Sequence, residues 1–410
     1  MRTKFLNVRI LLITQYFYPE NFKSNDIAFE LAKRKHDVTV LTGIPNYPQG
    51  DYFEGYGIFK KRGQCINGVK VKRAFLFPRG KGGGIRLVLN YFSWAFFASV
   101  RAFFLALFHR YDAILVHEPS PITQGIPAII VKKMQGIPMY FWVLDLWPES
   151  LVSAGGITNT KVISFFTSIV KWVYSNSDKV LISSQGFRKS ILEKGDYENK
   201  LVYFPNWAED VFSSFKEQPL PQLPTGFIVM FAGNIGEAQD FTHIMKCVLK
   251  LRNKKDIKFV FIGDGRKKEW VDMYIKENAL EDTAYALGRF PLEMMPSFFK
   301  KADAMLLSLK DELIFNITVP AKLQAYMSAG KPIVAMINGE GGNIIREADC
   351  GITVNAGNSN GLVDAIVMLK ERPIEDRDRL GRNGREYCLK HFNLNQCMDN
   401  LCIILERGKR

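Results

Sequence analysis

The sequence predicts an α/β chain built as two doubly wound parallel-sheet domains in tandem. Three observations carry that prediction. Short apolar runs alternate with helix-period patterns, the scheme starts afresh near residue 227, and a proline-rich break separates the two rounds. At 410 residues there is room for two separate cores.

In the first round, Val8–Thr14, Val38–Thr42, Ala113–His117, Met139–Leu144 and Lys179–Ser183 read as strands buried on both faces. The opening MRTKFLNVRILLITQYFYP sets basic residues ahead of an apolar run. That run covers only Ile10–Ile13 and no small-residue cleavage site follows, so a first strand is expected rather than a signal peptide. The break FKEQPLPQLPTG, Phe215–Gly226, reads as a linker. It sets the expected domains at 1–214 and 215–387, with a terminal helix over 388–410. The second round offers Phe227–Phe231, Lys258–Ile262, Ala304–Ser308 and Ile333–Met336. Ligands of such sheets bind at the carboxyl ends of the strands, here expected at a central cleft faced by both domains.

Composition narrows the partners. A formal charge of +14 asks for something acidic: an anionic membrane surface, phosphorylated substrates or nucleic acid. No nucleic-acid motif accompanies that charge, so no nucleic-acid partner is expected. The six cysteines form no CxxC pair, which argues for reduced thiols in a cytoplasmic protein. One segment stands apart, IRLVLNYFSWAFFASVRAFFLALF over Ile85–Phe108. Its longest uncharged stretch, Leu87–Val100, falls short of the roughly 20 residues a spanning helix needs. It reads either as a core helix or as a helix lying in the membrane interface, flanked by Arg79, Lys81 and Arg101.

The motifs with chemical content lie mostly in the second round. FAGNIG puts Gly233 and Gly236 after the first strand, and FIGDGRKKEW puts Gly263 and Gly265 in a tight turn that opens a helix. ALGRF adds Arg289 at the same sheet edge. The stretch NITVPAKLQAYMSAGKPIVA then reads as a loop, a helix, a glycine stop at Gly330 and a strand. Thr318 is expected to cap that helix and Pro320 to sit in its first turn. Its start would offer free N–H groups and a partial positive charge, with Lys322 beside them.

With these motifs in order, the chain resembles a retaining glycosyltransferase of the GT-B fold, in the large family 4 that uses nucleotide-sugar donors. In the first half NDIAFELAKRKHDVTVLTG, VHEP, LISSQGFRKSI and FPNWAED carry the likeness, and KADAMLLSL and PAKLQAYMSAGKP carry it in the second. QYFYPEN, LTGIPNYPQG and DLWPESLVSAG are most similar to bacterial O-antigen and capsule enzymes of the N-acetyl-L-fucosamine transferase type. The resemblance implies that the N–H groups of Ala321, Lys322 and Leu323 receive the donor's diphosphate. As the glycosidic bond breaks, a fixed dipole and cation stabilise the growing charge on the leaving phosphate. It also implies a front-face displacement without a carboxylate nucleophile, and no essential metal or other cofactor.

Departures from the family pattern are plain. Many relatives carry an arginine and a lysine after the first strand of the second domain. Here Asn234 and Gln239 stand there, able to donate hydrogen bonds but uncharged. Ile317 and Ala325 replace two family glutamates, which leaves Gln324 for the ribose and Asp311 or Glu312 for the sugar. His117 matches a family histidine that contacts the donor sugar; an imidazole with a pKa near 6.5 could relay a proton, and a structural histidine is the other reading. Asn25, Asp145, Trp147 and Glu149 are the expected acceptor residues, with Trp147 stacking on a sugar ring or simply buried.

The resulting expectation is an enzyme on the cytoplasmic face of the inner membrane. It would move a sugar from a UDP-linked donor, N-acetyl-L-fucosamine for preference, onto a polyprenyl-diphosphate-linked acceptor in O-antigen or capsule synthesis. A UDP-sugar 2-epimerase of the same build and a basic membrane-surface or nucleic-acid binding protein are the alternatives.

Overall fold

Strands among the described residues form two sheets, one in each of the two units into which the chain divides. The structure is a computed structural model that describes residues 7–80, 83–153, 156–208 and 217–407. The first unit comprises Met1–Ser183, Phe187–Phe204 and Asn395–Arg410, and the second Ser184–Gly186 and Pro205–Leu394.

In the first unit the strands are β1 (Arg9–Ile13), β2 (Asp37–Gly43), β3 (Gly63–Ile66), β4 (Val69–Ala74), β5 (Ala113–Glu118), β6 (Met139–Val143), β7 (Lys179–Ile182) and β8 (Leu201–Tyr203). Their order is β3-β4-β2-β1-β5-β6-β7-β8. Only β3 runs antiparallel to its neighbour. It joins β4 through Asn67 and Gly68, both at positive φ (48° and 82°), as a tight hairpin turn requires. Strand order reverses between β1 and β5, so the loops leaving these two strands part there and open a binding position.

The second unit holds β9 (Phe227–Ala232), β10 (Ile257–Ile262), β11 (Ala284–Gly288), β12 (Ala304–Ser308), β13 (Ile333–Met336) and β14 (Gly351–Val354). They are wholly parallel in the order β11-β10-β9-β12-β13-β14. Alternation along β9 shows why the run is apolar throughout. Phe227, Val229 and Phe231 enter the core on one side of the sheet, while Ile228, Met230 and Ala232 enter the core on the other. The two doubly wound parallel sheets are those the sequence predicts.

The division between units falls at Phe204/Pro205, ahead of the expected 214/215 boundary. Phe215 and Lys216 of the expected linker lie outside the described residues, as do Glu209 and Asp210 of FPNWAED and Ala154 and Gly155 of DLWPESLVSAG. At the far end the Ile374–His391 helix takes in Cys388, and the last helix opens at Leu394 rather than 388. That last helix belongs to the first unit from Asn395 onward. There Arg34 pairs with Asp399 at 3.2 Å, and Cys402 Sγ lies 3.4 Å from His36 Nε2.

Ile85–Phe108 forms one helix, Gly84–Phe108, lying against the Gly125–Gln135 helix. Of its expected basic flanks, Lys81 lies outside the described residues. Arg101 is a correction to the expectation of an outward anchor. It turns inward, donating to the carbonyls of Arg73 (2.9 Å) and Arg62 (3.2 Å), because buried backbone oxygens need donors.

Candidate active site

In the second unit, four loops gather at the carboxyl ends of β9–β12 and are stitched together by backbone. Gly233 N–H donates to Ile262 C=O at 2.8 Å, Gly263 N–H to Gly288 C=O at 2.8 Å, and Ile235 N–H to Asp264 C=O at 2.8 Å. Glycine is required at the tightest point. Gly263 has φ +141°, and a Cβ there would stand 1.8 Å from the Gly233 carbonyl oxygen. The result is a floor of bare backbone where a ligand can approach closely.

The Ala321–Ser328 helix is docked on that floor by one tyrosine. The Tyr326 hydroxyl accepts from Ala232 N–H (2.9 Å) and donates to Ala232 C=O (3.1 Å), fixing the helix to the end of β9. This positions Lys322. Its side chain lies against Gly233, its Nζ stands 3.5 Å from the Asn234 carbonyl, and the ammonium sits 4.2 Å from the centre of the Phe231 ring. Burial there lowers the lysine pKa to about 7. The first amides of the helix, Ala321 and Lys322, have no partner within it by helix geometry. A half-buried cation and two amides therefore share one end of this helix, an arrangement suited to phosphate.

Several expected donor contacts need correction. Pro320 is the N-cap with extended backbone (ψ 132°), one position before the first turn. Thr318 does not cap the helix; its hydroxyl donates backward to Ile314 C=O at 2.6 Å, closing the preceding short helix. Leu323 N–H is already taken by Pro320 C=O at 2.9 Å. Gln324 faces the interior, where its amide donates to Asn206 C=O at 3.0 Å, so it cannot hold a ribose. Gln239 Oε1 accepts from Gly236 N–H at 3.2 Å, which ties up its carbonyl and leaves its amide NH₂ as donor. Asn234 is exposed, its amide group filling the space beside Gly236 and Gly265. Arg289 is exposed after β11. Asp311 accepts from Asn316 at 2.8 Å.

Sequence reasoning passed over the cations that this edge does carry. Glu237 bridges Lys267 (3.0 Å) and Lys310 (3.1 Å), gathering two lysines from the loops after β10 and β12. Hydrogen bonds from Lys267 and Lys310 hold its carboxyl below the usual range.

In the first unit, His117 is the next-to-last residue of β5 and lies beside Thr14, which follows β1. Its Nδ1 lies 3.2 Å from Thr14 Oγ1, its Nε2 is buried without a partner among the described residues, and Trp142 packs at 5.3 Å. Burial lowers its pKa to about 3. The expected proton relay at pH 6.5 is thus corrected: the imidazole is neutral, and what it offers is one unpartnered ring nitrogen.

Next to it, Glu118 is wholly buried with no hydrogen-bond partner for either oxygen among the described residues. Burial, then the nearby Asp145, pushes its pKa well above the carboxylate range. Tyr174 is buried close by, its hydroxyl also without a partner among the described residues. The neighbours expected to hold acceptor are turned into this network. Asp145 accepts from Ser150 and from Trp147 Nε1 (3.2 Å), and Glu149 from Lys194 (2.6 Å). Trp147 is only 5% exposed and packs on Phe166 at 5.0 Å, which corrects the expected sugar platform. Asn25 is likewise spent on its own loop, accepting from Tyr18 N–H (2.8 Å) and donating to Glu20 C=O (2.7 Å).

Glu20 is the hub the sequence reading missed. Its carboxylate accepts from the amides of Tyr47 (2.7 Å), Asn46 (2.8 Å) and Phe17 (3.3 Å), joining the loops that leave β1 and β2. Burial raises its pKa to about 7. An acid set directly after an aromatic run, in FYPEN, was the available signal.

Two parallel-sheet units, with glycine loops at the strand ends of the second, define the GT-B fold. Comparison with known proteins agrees. Residues 24–207 match the family described as "Glycosyl transferase 4-like domain", and residues 226–372 that described as "Glycosyl transferases group 1". Each half of the chain thus carries one of these two glycosyltransferase domains. It is 30% identical over 221 residues to "Probable glycosyltransferase WbjE" of Pseudomonas aeruginosa, covering 51% of this chain and 54% of that one. The match therefore spans about half the length of that relative. It is 24% identical over 323 residues to "Putative colanic acid biosynthesis glycosyl transferase WcaI" of Escherichia coli K12, covering 73% and 75%. Among solved structures, Anabaena HepE in complex with UDP-glucose superposes with a TM-score of 0.66 at 13% identity, covering 98% of this chain and 100% of that one.

Proposed function

We propose that the chain is a glycosyltransferase that takes a nucleotide-sugar donor in its second unit, with the diphosphate on the Ala321 and Lys322 amides and the Lys322 ammonium. The single observation that carries this reading is the seating of Lys322 against Gly233 and the Phe231 ring, at the start of a helix. HepE, which shares the fold, was crystallised with UDP-glucose, and that supports a UDP-linked donor. The name of WcaI supports a role in surface-polysaccharide synthesis. Within that role, N-acetyl-L-fucosamine is the proposed sugar and a polyprenyl-diphosphate-linked sugar the proposed acceptor, on the likeness of QYFYPEN and DLWPESLVSAG.

The chemistry follows from charge. As the bond between the anomeric carbon and the phosphate oxygen breaks, its electron pair stays with the departing diphosphate. Lys322 and the helix end stabilise that charge more than they stabilise the intact donor. The acceptor hydroxyl attacks the same face of the sugar and passes its proton to the departing phosphate oxygen, giving retention. No metal is assigned a step, so turnover is expected to persist in a chelator.

The test is a panel of nucleotide sugars, first by thermal shift and then with a lipid-diphosphate acceptor, products read by mass spectrometry. Release of UDP that depends on acceptor, with a glycosylated lipid product, supports transfer. Isomerised nucleotide sugar without acceptor would instead show an epimerase.

A further inference from the structure

We infer that the first unit docks on an anionic membrane through the outward face of the Gly84–Phe108 helix, which lies in the plane of the interface. The helix is built inside out. Its buried side is mostly small: Ala95, Ala98, Ala102 and Ala106 accompany Asn90, Trp94 and Leu105. Its large apolar residues face outward, with Phe96 63%, Phe104 51%, Leu107 56% and Phe108 73% exposed. A helix on a water-facing surface shows the opposite pattern. The face extends onto a second helix, Thr160–Asn176, where Phe166 meets Phe92 at 6.4 Å and Phe165 and Trp172 are exposed. A continuous apolar patch of this kind marks an interaction surface.

Charge selects the occupant. Between residues 55 and 111 there are eleven lysines and arginines and no aspartate or glutamate; Arg73 is buried and Arg101 turned inward, while Lys60, Lys61, Lys70, Arg86 and Arg110 are exposed. The Thr160–Asn176 helix adds Lys161 and Lys171, again without an acid. Apolar side chains on the face, with cations in the flanking segments, match an interface of acyl chains and anionic headgroups. A second copy of the chain would bring the same cations together and repel, and nucleic acid would want them on the face itself.

By length and composition this helix could cross a bilayer. Its inner face argues that it does not. Asn90 bonds Gln15 (2.7 Å), the Phe77 carbonyl (2.6 Å) and Asn46 (3.3 Å), and Gln135 donates to the carbonyls of Ala106 (2.8 Å) and His109 (2.6 Å). With Arg101 also turned inward, the helix is bonded into the domain along its length. Only its outer half is free to enter lipid.

The test is flotation of the full chain with vesicles of phosphatidylglycerol and phosphatidylcholine, or phosphatidylcholine alone. Binding is expected to the anionic vesicles and to weaken at least about tenfold on neutral ones, or when salt rises from about 0.1 M to about 0.5 M. Replacing Phe96, Phe103, Phe104 and Leu107 with glutamine should abolish binding while unfolding temperature and UDP affinity stay unchanged. Arg86→Gln with Arg110→Gln should weaken binding to anionic vesicles only. Equal binding to neutral vesicles, no binding to either, resistance to an alkaline carbonate wash, or a soluble dimer that the glutamine variant dissociates would each overturn the inference.

Discussion

The Lys322 ammonium stands 4.2 Å from the centre of the Phe231 ring, beside a glycine loop and at the start of a helix. The ring face favours the cation, yet burial lowers its pKa to about 7. An arriving diphosphate would raise it again, so donor binding should take up a proton. Affinity for UDP-glucose is expected to be level below pH 7 and to fall about tenfold per unit above it, until the bound ammonium titrates. Calorimetry at several pH values reads this directly. Lys322→Met should cost about 10- to 100-fold in affinity at pH 6, the worth of a charged hydrogen bond, and should flatten the profile. An unaltered profile would remove the lysine from the site.

Gly263 and Gly288 offer a matched pair. Both have positive φ, but a Cβ at Gly263 would meet the Gly233 carbonyl at 1.8 Å, whereas nothing lies within 4 Å of one at Gly288. Strained backbone alone costs about 1–3 kcal/mol in either. Gly263→Ala should therefore lower the urea midpoint more than Gly288→Ala and also abolish UDP binding. Equal losses would mean that the contact between the two loops is unimportant.

His117 is neutral at working pH, since burial holds its pKa near 3. His117→Ala is expected to reduce turnover about 10- to 100-fold through one lost polar contact. The shape of the pH–rate profile between about 5 and 8 should not change. Loss of an acidic limb near pH 6.5 in the variant would restore the relay reading.

Glu118 makes a prediction about stability. Its folded pKa lies above that of the unfolded chain, so the folded state holds the proton more tightly. The stability this contributes is complete below the unfolded value near 4.3 and is lost as pH rises toward the folded pKa. Glu118→Gln should shallow the slope between about pH 5 and 8, to which Glu20 also contributes, and leave the protein at least as stable at pH 8. Denaturant titrations at pH 5 and pH 8 compare the two; an unchanged slope would place the effect elsewhere.

Much of this was legible in the sequence, for physical reasons. Strands buried on both faces, such as β9 and β10, leave apolar runs, and positive-φ turns at Gly233, Gly263 and Gly265 leave glycines in the text. The β3–β4 hairpin was missed although Asn67–Gly68 announces it, because β3 is short and partly exposed and charged residues interrupt the apolar ones of β4. Direction was harder to read than position. Gln324 and Tyr326 are two residues apart in one helix, and nothing in their order says that both turn inward. The environments of His117 and Trp147 depend on neighbours distant in sequence, Thr14 and Phe166, so their burial could not be seen.

The most direct measurement is a crystal structure of the chain with bound UDP-glucose. The expected density places the diphosphate on the Ala321 and Lys322 amides, within reach of the Lys322 ammonium and against the Gly233 backbone. A diphosphate seated away from that helix, with Lys322 unmoved on Phe231, would contradict the assignment.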